Sequence, residues 1–159
     1  MKIKLIKDEA FSDYKKPYMF IGTCKCDFKC CKEAGLPITV CQNESWIRGK
    51  DFILDNSKIV ERYMNNPITQ AIVIGGMEPF DQFTELFELV SEFRKATMAD
   101  IVIYTGYYQE EIENAVATFK QFPNIIIKFG RFIPNHKPHF DEVLGINLAS
   151  DNQYARKIS

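Results

Sequence analysis

Ala71-Ile72-Val73-Ile74-Gly75-Gly76-Met77-Glu78-Pro79 is an apolar run of strand length that ends in two glycines, and a helical pattern follows at once. From Asp81 to Ala96 the apolar residues Phe83, Leu86, Phe87, Val90 and Phe93 share one stripe, with Glu85, Glu88, Glu92 and Arg94 elsewhere. A short strand without polar alternation is buried on both faces, as in a parallel sheet. The unit recurs in both directions along the chain. Tyr18–Thr23, Ile101–Thr105 and Ile125–Phe129 read as further strands, and Ile112, Ala115, Val116 and Phe119 as a second helical stripe. Ile59, Val60, Tyr63 and Met64 form a third stripe, entered through Asn56 or Ser57 as the cap. Strand, helix, strand in repetition predicts right-handed crossovers and an α/β fold with a parallel sheet, open or curled into part of a barrel. Ligands of such sheets gather at the C-terminal ends of the strands. Cys24 follows the first strand, Gly75 to Pro79 the second, Thr105-Gly106-Tyr107 the third and Gly130 the fourth. Residues after Asn147 read as an irregular tail ending in a short helix. With no repeat or linker in view, residues 1–159 read as one domain.

Charge is nearly balanced, 20 Lys and Arg against 21 Asp and Glu, so nothing directs the chain to nucleic acid or an anionic membrane. Met1 to Glu9 alternate Lys with Ile and Leu but lack the apolar run and cleavage site of a signal peptide, and no stretch reaches the length of a membrane span. A cytoplasmic protein is expected. All five cysteines, Cys24, Cys26, Cys30, Cys31 and Cys41, fall in the loop 24–41. A core scatters its cysteines, whereas a metal gathers them. Cys26 and Cys30 stand four residues apart after a strand, where backbone N–H groups can turn toward a cluster's sulfides. One further thiolate would leave one iron without a protein ligand, and Cys31 and Cys41 are the candidates. The spacing supports an iron–sulfur cluster and a zinc site equally. His136-Lys137-Pro138-His139 has metal-like spacing, but Pro138 breaks any helix and no thiol or acid adjoins it. The aromatics Phe80, Phe83, Phe87 and Phe93 read as core.

Phe20 to Cys30 resembles the opening of the radical S-adenosylmethionine superfamily, whose signature is three cysteines spaced C-x3-C-x2-C. Here the position expected for the third cysteine holds Glu33. Cys41-Gln42-Asn43-Glu44-Ser45-Trp46 is similar to the third cysteine and following Tyr-Asn, Ser and Trp of anaerobic ribonucleoside-triphosphate reductase activating proteins. The resemblance therefore makes Cys31 to Val40 an insertion and Cys26, Cys30 and Cys41 the favoured ligands, with Cys31 a rival and Cys24 the least favoured. Gly75-Gly76-Met77-Glu78-Pro79 resembles the superfamily's Gly-Gly-Glu-Pro loop with Met77 added, which implies backbone carbonyls turned to the methionyl ammonium. A side chain at Gly76 would then intrude on the cofactor and leave the cysteine loop alone. Thr105-Gly106-Tyr107 resembles the family's Thr-Gly-Tyr strand end. Lys128 to Phe132 resembles its Asp-Gly-Lys-Phe segment with Lys128 replacing the acid, and Ala149 to Gln153, with Asn152, its terminal Gly-Ser-x-Asn-Gln.

The resemblance implies a short, incomplete α/β barrel carrying a 4Fe-4S cluster whose open iron binds S-adenosylmethionine. Gly75, Gly76, Met77, Glu78, Thr105, Gly106, Tyr107 and Asn152 would line the cofactor. The implied activity is reductive cleavage of S-adenosylmethionine to place a glycyl radical on a partner enzyme, with anaerobic ribonucleotide reductase first among the candidates. Flavodoxin or ferredoxin would supply the electron. Two alternatives belong to other classes: a radical enzyme acting on a small molecule or peptide, and a non-catalytic iron–sulfur or zinc module.

Overall fold

A computed structural model describes all 159 residues. The first strand, β1 (Lys2–Ala10), pairs antiparallel with β2 (Tyr18–Thr23) and with the two-residue β3 (Phe52–Ile53). Between β2 and β3 lie the short helices α1 (Lys29–Glu33) and α2 (Glu44–Ile47). Helix α3 (Asn56–Met64) leads to β4 (Ala71–Gly76), α4 (Phe83–Ala96) to β5 (Asp100–Tyr104), and α5 (Glu113–Phe119) to β6 (Ile125–Phe129). Strands β2, β4, β5 and β6 are parallel neighbours in sequence order. The chain ends with the hairpin β7 (His139–Asp141) and β8 (Ile146–Leu148), then β9 (Tyr154–Lys157), antiparallel to β6. The seven-stranded order is β3-β1-β2-β4-β5-β6-β9.

Alternation along each strand divides the sheet into two faces. Ile72 and Ile74, Ile101 and Ile103, and Ile125 and Ile127 point to the face covered by α3, α4 and α5, where Tyr63, Leu86, Leu89, Phe93 and Phe119 meet them. Val73, Val102 and Ile126 point the other way, onto Tyr14, Leu144 and Leu148. Consecutive parallel strands with every crossover helix on one face give the winding of a barrel, and this sheet stays open as a partial one. The four expected strands all form. The stripe aromatics are core, with Phe80 and Phe83 both packed edge-on against Phe119. No helix is long and apolar enough to cross a membrane.

Two expectations need correction, and one strand lies where none was expected. The tail after Asn147 is not irregular and has no helix: β8 and β9 occupy it, and β9 supplies the hydrogen bonds that β6 would otherwise lack on that side. Helix α3 is entered through Asp55, one residue earlier than expected and with no side-chain cap bond. Asn56 accepts instead from the N-terminal ammonium, 3.0 Å away. The alternating N-terminal segment is the nine-residue strand β1, half buried against β2. At the two sheet edges, β3 is only two residues long and β9 exposes Arg156 and Lys157, features that discourage pairing with a second sheet.

Candidate metal centre

The C-terminal ends of β2, β4, β5 and β6 surround a cavity of about 360 Å³, and Cys26, Cys30, Cys31 and Cys41 all line it. The loop that carries them is anchored from below. Gln82 accepts from the N–H groups of Cys24 and Lys25 at 2.5 and 3.1 Å, and Glu78 N–H donates to the Lys25 carbonyl at 2.8 Å. Phe28 takes a left-handed conformation, φ 59°, and its N–H donates to Cys26 Sγ at 3.3 Å. That turn starts α1, which carries Cys30 and the buried Cys31. Cys41 follows the 3-10 turn Ile38–Val40. Cys24 stands apart, donating to the Lys2 carbonyl at 3.6 Å and lining no part of the cavity.

Burial pushes the Cys26 thiol up to about 12. Burial also raises Cys30 and Cys31, and the charges of neighbouring thiols add to it. Such thiols stay protonated unless a metal takes them as thiolates, and metal uptake then releases protons. Four soft sulfur donors on one cavity fit iron–sulfur or zinc and suit hard cations poorly. Asp27 and Asp81 come within 4.8 Å of the Cys26 sulfur, but both are committed to local hydrogen bonds. Asp81 accepts from the Asp27 N–H and the Tyr107 hydroxyl, both at 2.8 Å, and Asp27 from the Lys29 N–H at 2.8 Å.

The glycine turn lies where the sequence puts it, with an occupant the sequence did not suggest. Gly76 has φ +92°, and a Cβ there would stand 2.3 Å from Trp46 Cζ3. Trp46 also covers Gly22 and packs edge-on against Phe20 at 5.8 Å. The Gly75 carbonyl accepts from the Thr23 hydroxyl at 2.9 Å and the Gly76 carbonyl from the Asn43 amide, so each keeps one lone pair for another donor. A Gly76 side chain would therefore strike α2 of the cysteine segment, contrary to the expectation that the loop would be left alone. Ser45-Trp46 marked the resemblance, but nothing in the sequence disclosed this contact.

Glu78 is buried and ties β4 to the rim of β5: it accepts from Thr105 Oγ1 at 2.7 Å, Gly106 N–H at 2.9 Å and Phe80 N–H at 3.1 Å. Burial nevertheless raises its carboxyl to about 7. Gly75, Gly76, Met77, Glu78, Thr105 and Gly106 all line the cavity with the cysteines. Tyr107 lines a small crevice next to it, behind Cys26 and Cys30. Asn152 lies outside both, donating to the Tyr108 hydroxyl and the Arg131 carbonyl, and its neighbour Gln153 faces the cavity instead. His136 pairs with Asp151 at 2.7 Å on the surface, and His139 opens β7.

Two groups take on a weight in the structure that the sequence did not give them. Arg131, 7% exposed at its side chain, pairs with Glu111 through both terminal nitrogens, at 2.8 and 2.6 Å, and with Glu33 of α1 at 2.8 Å. Lys29 of α1 reaches the same Glu111 at 2.5 Å. This network clamps the cysteine helix to the rim. Its members are far apart in sequence and show no pattern there. The other is Lys128, buried at the end of β6 and lining the cavity. The sequence marked it as the residue that replaces the family's acid, but gave no sign that it is buried in the cavity wall.

An open α/β sheet that gathers four thiols beside a cavity at its strand ends defines a thiolate metal centre, and the family match decides for iron–sulfur over zinc. The chain belongs to the family described as 4Fe-4S single cluster domain, whose profile matches residues 18–153. No curated protein and no solved structure matches it significantly.

Proposed function

We propose that this protein is a radical S-adenosylmethionine activating enzyme that places a glycyl radical on a partner, anaerobic ribonucleotide reductase being the first candidate. The observation that carries the reading is the junction of thiols and cavity: the cysteines open directly onto about 360 Å³ bounded by the glycine turn and the Thr105-Gly106 rim. That volume lies in the range of small-molecule sites, and a structural or electron-transfer cluster needs no such room. Cys26, Cys30 and Cys41 would hold the cluster, and Cys24, which lines no part of the cavity, would not. When bound and reduced by a flavodoxin or ferredoxin, the cluster supplies the electron that cleaves the sulfonium bond.

The chain's own residues supply position and dryness. Gly75 and Gly76 let backbone approach a ligand closely, and their carbonyls each retain acceptor capacity. Glu78 fixes Thr105 and Gly106 at the cavity wall. Phe20, Trp46 and Phe132 give that wall its apolar surface, which favours a nucleoside ring and excludes water. The closed four-thiolate module also has support, because Cys31 lines the same cavity.

The test is an electron paramagnetic resonance spectrum of the partner enzyme after anaerobic incubation with this protein, reductant and S-adenosylmethionine. A glycyl doublet that vanishes in the Cys26→Ala variant is the expected result. Cleavage coupled to modification of a small molecule, with no protein radical, would move the assignment to a small-molecule enzyme. No cleavage at all would leave the four-thiolate module.

A further inference from the structure

The cavity wall carries four charged side chains, Lys7, Asp13, Glu78 and Lys128. Lys7 is exposed at the mouth, so solvent screens it. Asp13 accepts from the Tyr18 hydroxyl and the Asp13 N–H donates back to it, which fixes that carboxylate in a local loop. Glu78 accepts from Thr105, Gly106 and Phe80 and forms no ion pair. Lys128 differs from all three: it is 6% exposed, pairs with no carboxylate, and spends one of its three protons on the Gly130 carbonyl at 2.8 Å. A buried ammonium with no anionic partner is costly, so its neighbourhood should hold a negative charge. Thiolates of the sulfur set would be the other source of negative charge on this cavity. Cys26, Cys30, Cys31 and Cys41 line the same cavity as Lys128, and Cys30 lies across the Gly106 rim from Glu78.

We propose that the Lys128 ammonium is the buried counter-charge of the cluster and raises its reduction potential. A cluster on thiolates becomes more negative by one charge on reduction, and net charge near a cluster is one of the levers that set its potential. A fixed positive charge in a low-dielectric wall favours the reduced form. The inference rests on the thiols holding a cluster and does not need S-adenosylmethionine.

The experiment is a potentiometric titration of the reconstituted holoprotein with dithionite and mediators, read by electron paramagnetic resonance. Lys128→Gln removes the charge and keeps a donor for Gly130. At fixed potential its oxidised-to-reduced ratio should rise at least tenfold, about 59 mV for one electron. Lys128→Arg should stay near the parent, and Lys7→Met should change the ratio by less than about twofold because of screening. A Lys128→Gln or Lys128→Met protein with full cluster content and the parent's potential would overturn the proposal. If neutral variants fold as the parent does yet take up a cluster only when Arg restores the charge, the counter-charge role is supported by assembly. Failure of the parent to assemble any cluster would instead overturn the ligand assignment itself. An unchanged potential in a loaded variant leaves the activase reading standing.

Discussion

The two faces of the central sheet solve opposite problems. On one, three helices bury an almost unbroken apolar layer, with Phe93, Phe119 and Leu86 fully enclosed. On the other, only the N-terminal half is covered, by Tyr14 and the β7–β8 hairpin, while the C-terminal half carries Phe20, Tyr104 and Lys128 into the cavity. The first face is where burial stabilises the fold, at roughly 1.5–3 kcal/mol for each enclosed side chain. The second forgoes part of that gain to keep space next to four thiols. Stability and chemistry are thus assigned to different sides of the same strands, and substitutions should separate them.

The sharpest separation is expected at the cysteines. Cys26→Ala, Cys30→Ala and Cys41→Ala should each lose nearly all cluster, measured by iron and sulfide content, with the fold retained by circular dichroism. Cys24→Ala should keep it. If Cys31→Ala destroys the cluster while Cys30→Ala spares it, the ligand register is wrong. On the helical face the reverse holds: Phe93→Ala should cost about 3–5 kcal/mol in denaturant unfolding. Below the midpoint its cluster content should match the parent. A large loss of cluster there would show that the faces are coupled.

Gly76→Val probes the boundary between them. The new Cβ would meet Trp46 at 2.3 Å in a backbone region valine avoids, so cluster content should fall and stability drop by about 1–3 kcal/mol. Fluorescence of Trp46, the one tryptophan, reports the displacement directly. Unchanged emission with full cluster would mean the contact is not held in solution. The smallest effect is expected at Glu111, whose carboxyl is held down to about 2, chiefly by Arg131. A depressed acid stabilises the fold fully above its unfolded value near 4.5 and loses that contribution as pH falls toward 2. Glu111→Gln should therefore melt about 2–4 °C below the parent at pH 7, with the gap closing as pH falls through that window.

Four strands and three helices were legible in the sequence because each is either apolar throughout or striped at helical period. The antiparallel strands β1 and β9 were not. In β9 only Ala155 is buried among four residues, too short a segment to show a period, and β1 alternates over a half-exposed face that reads equally well as irregular. At the site, the clustering of cysteines and the order of turns along the rim were visible because they are local. Contacts that join distant segments were not: Trp46 over Gly76, Arg131 between Glu33 and Glu111, and the placement of Gln153 in the cavity rather than Asn152. Each depends on how loops meet above the strands, which sequence periodicity does not encode.

The central claim is that the cysteine cavity holds a cluster with one iron left open to S-adenosylmethionine. It is tested most directly by reducing the reconstituted protein and recording its electron paramagnetic resonance spectrum with and without that compound. The account predicts a cluster signal that shifts on addition, and shifts equally in the Cys31→Ala variant. A signal indifferent to S-adenosylmethionine in the parent, from a cluster that needs Cys31 as well as Cys26, Cys30 and Cys41, would contradict it.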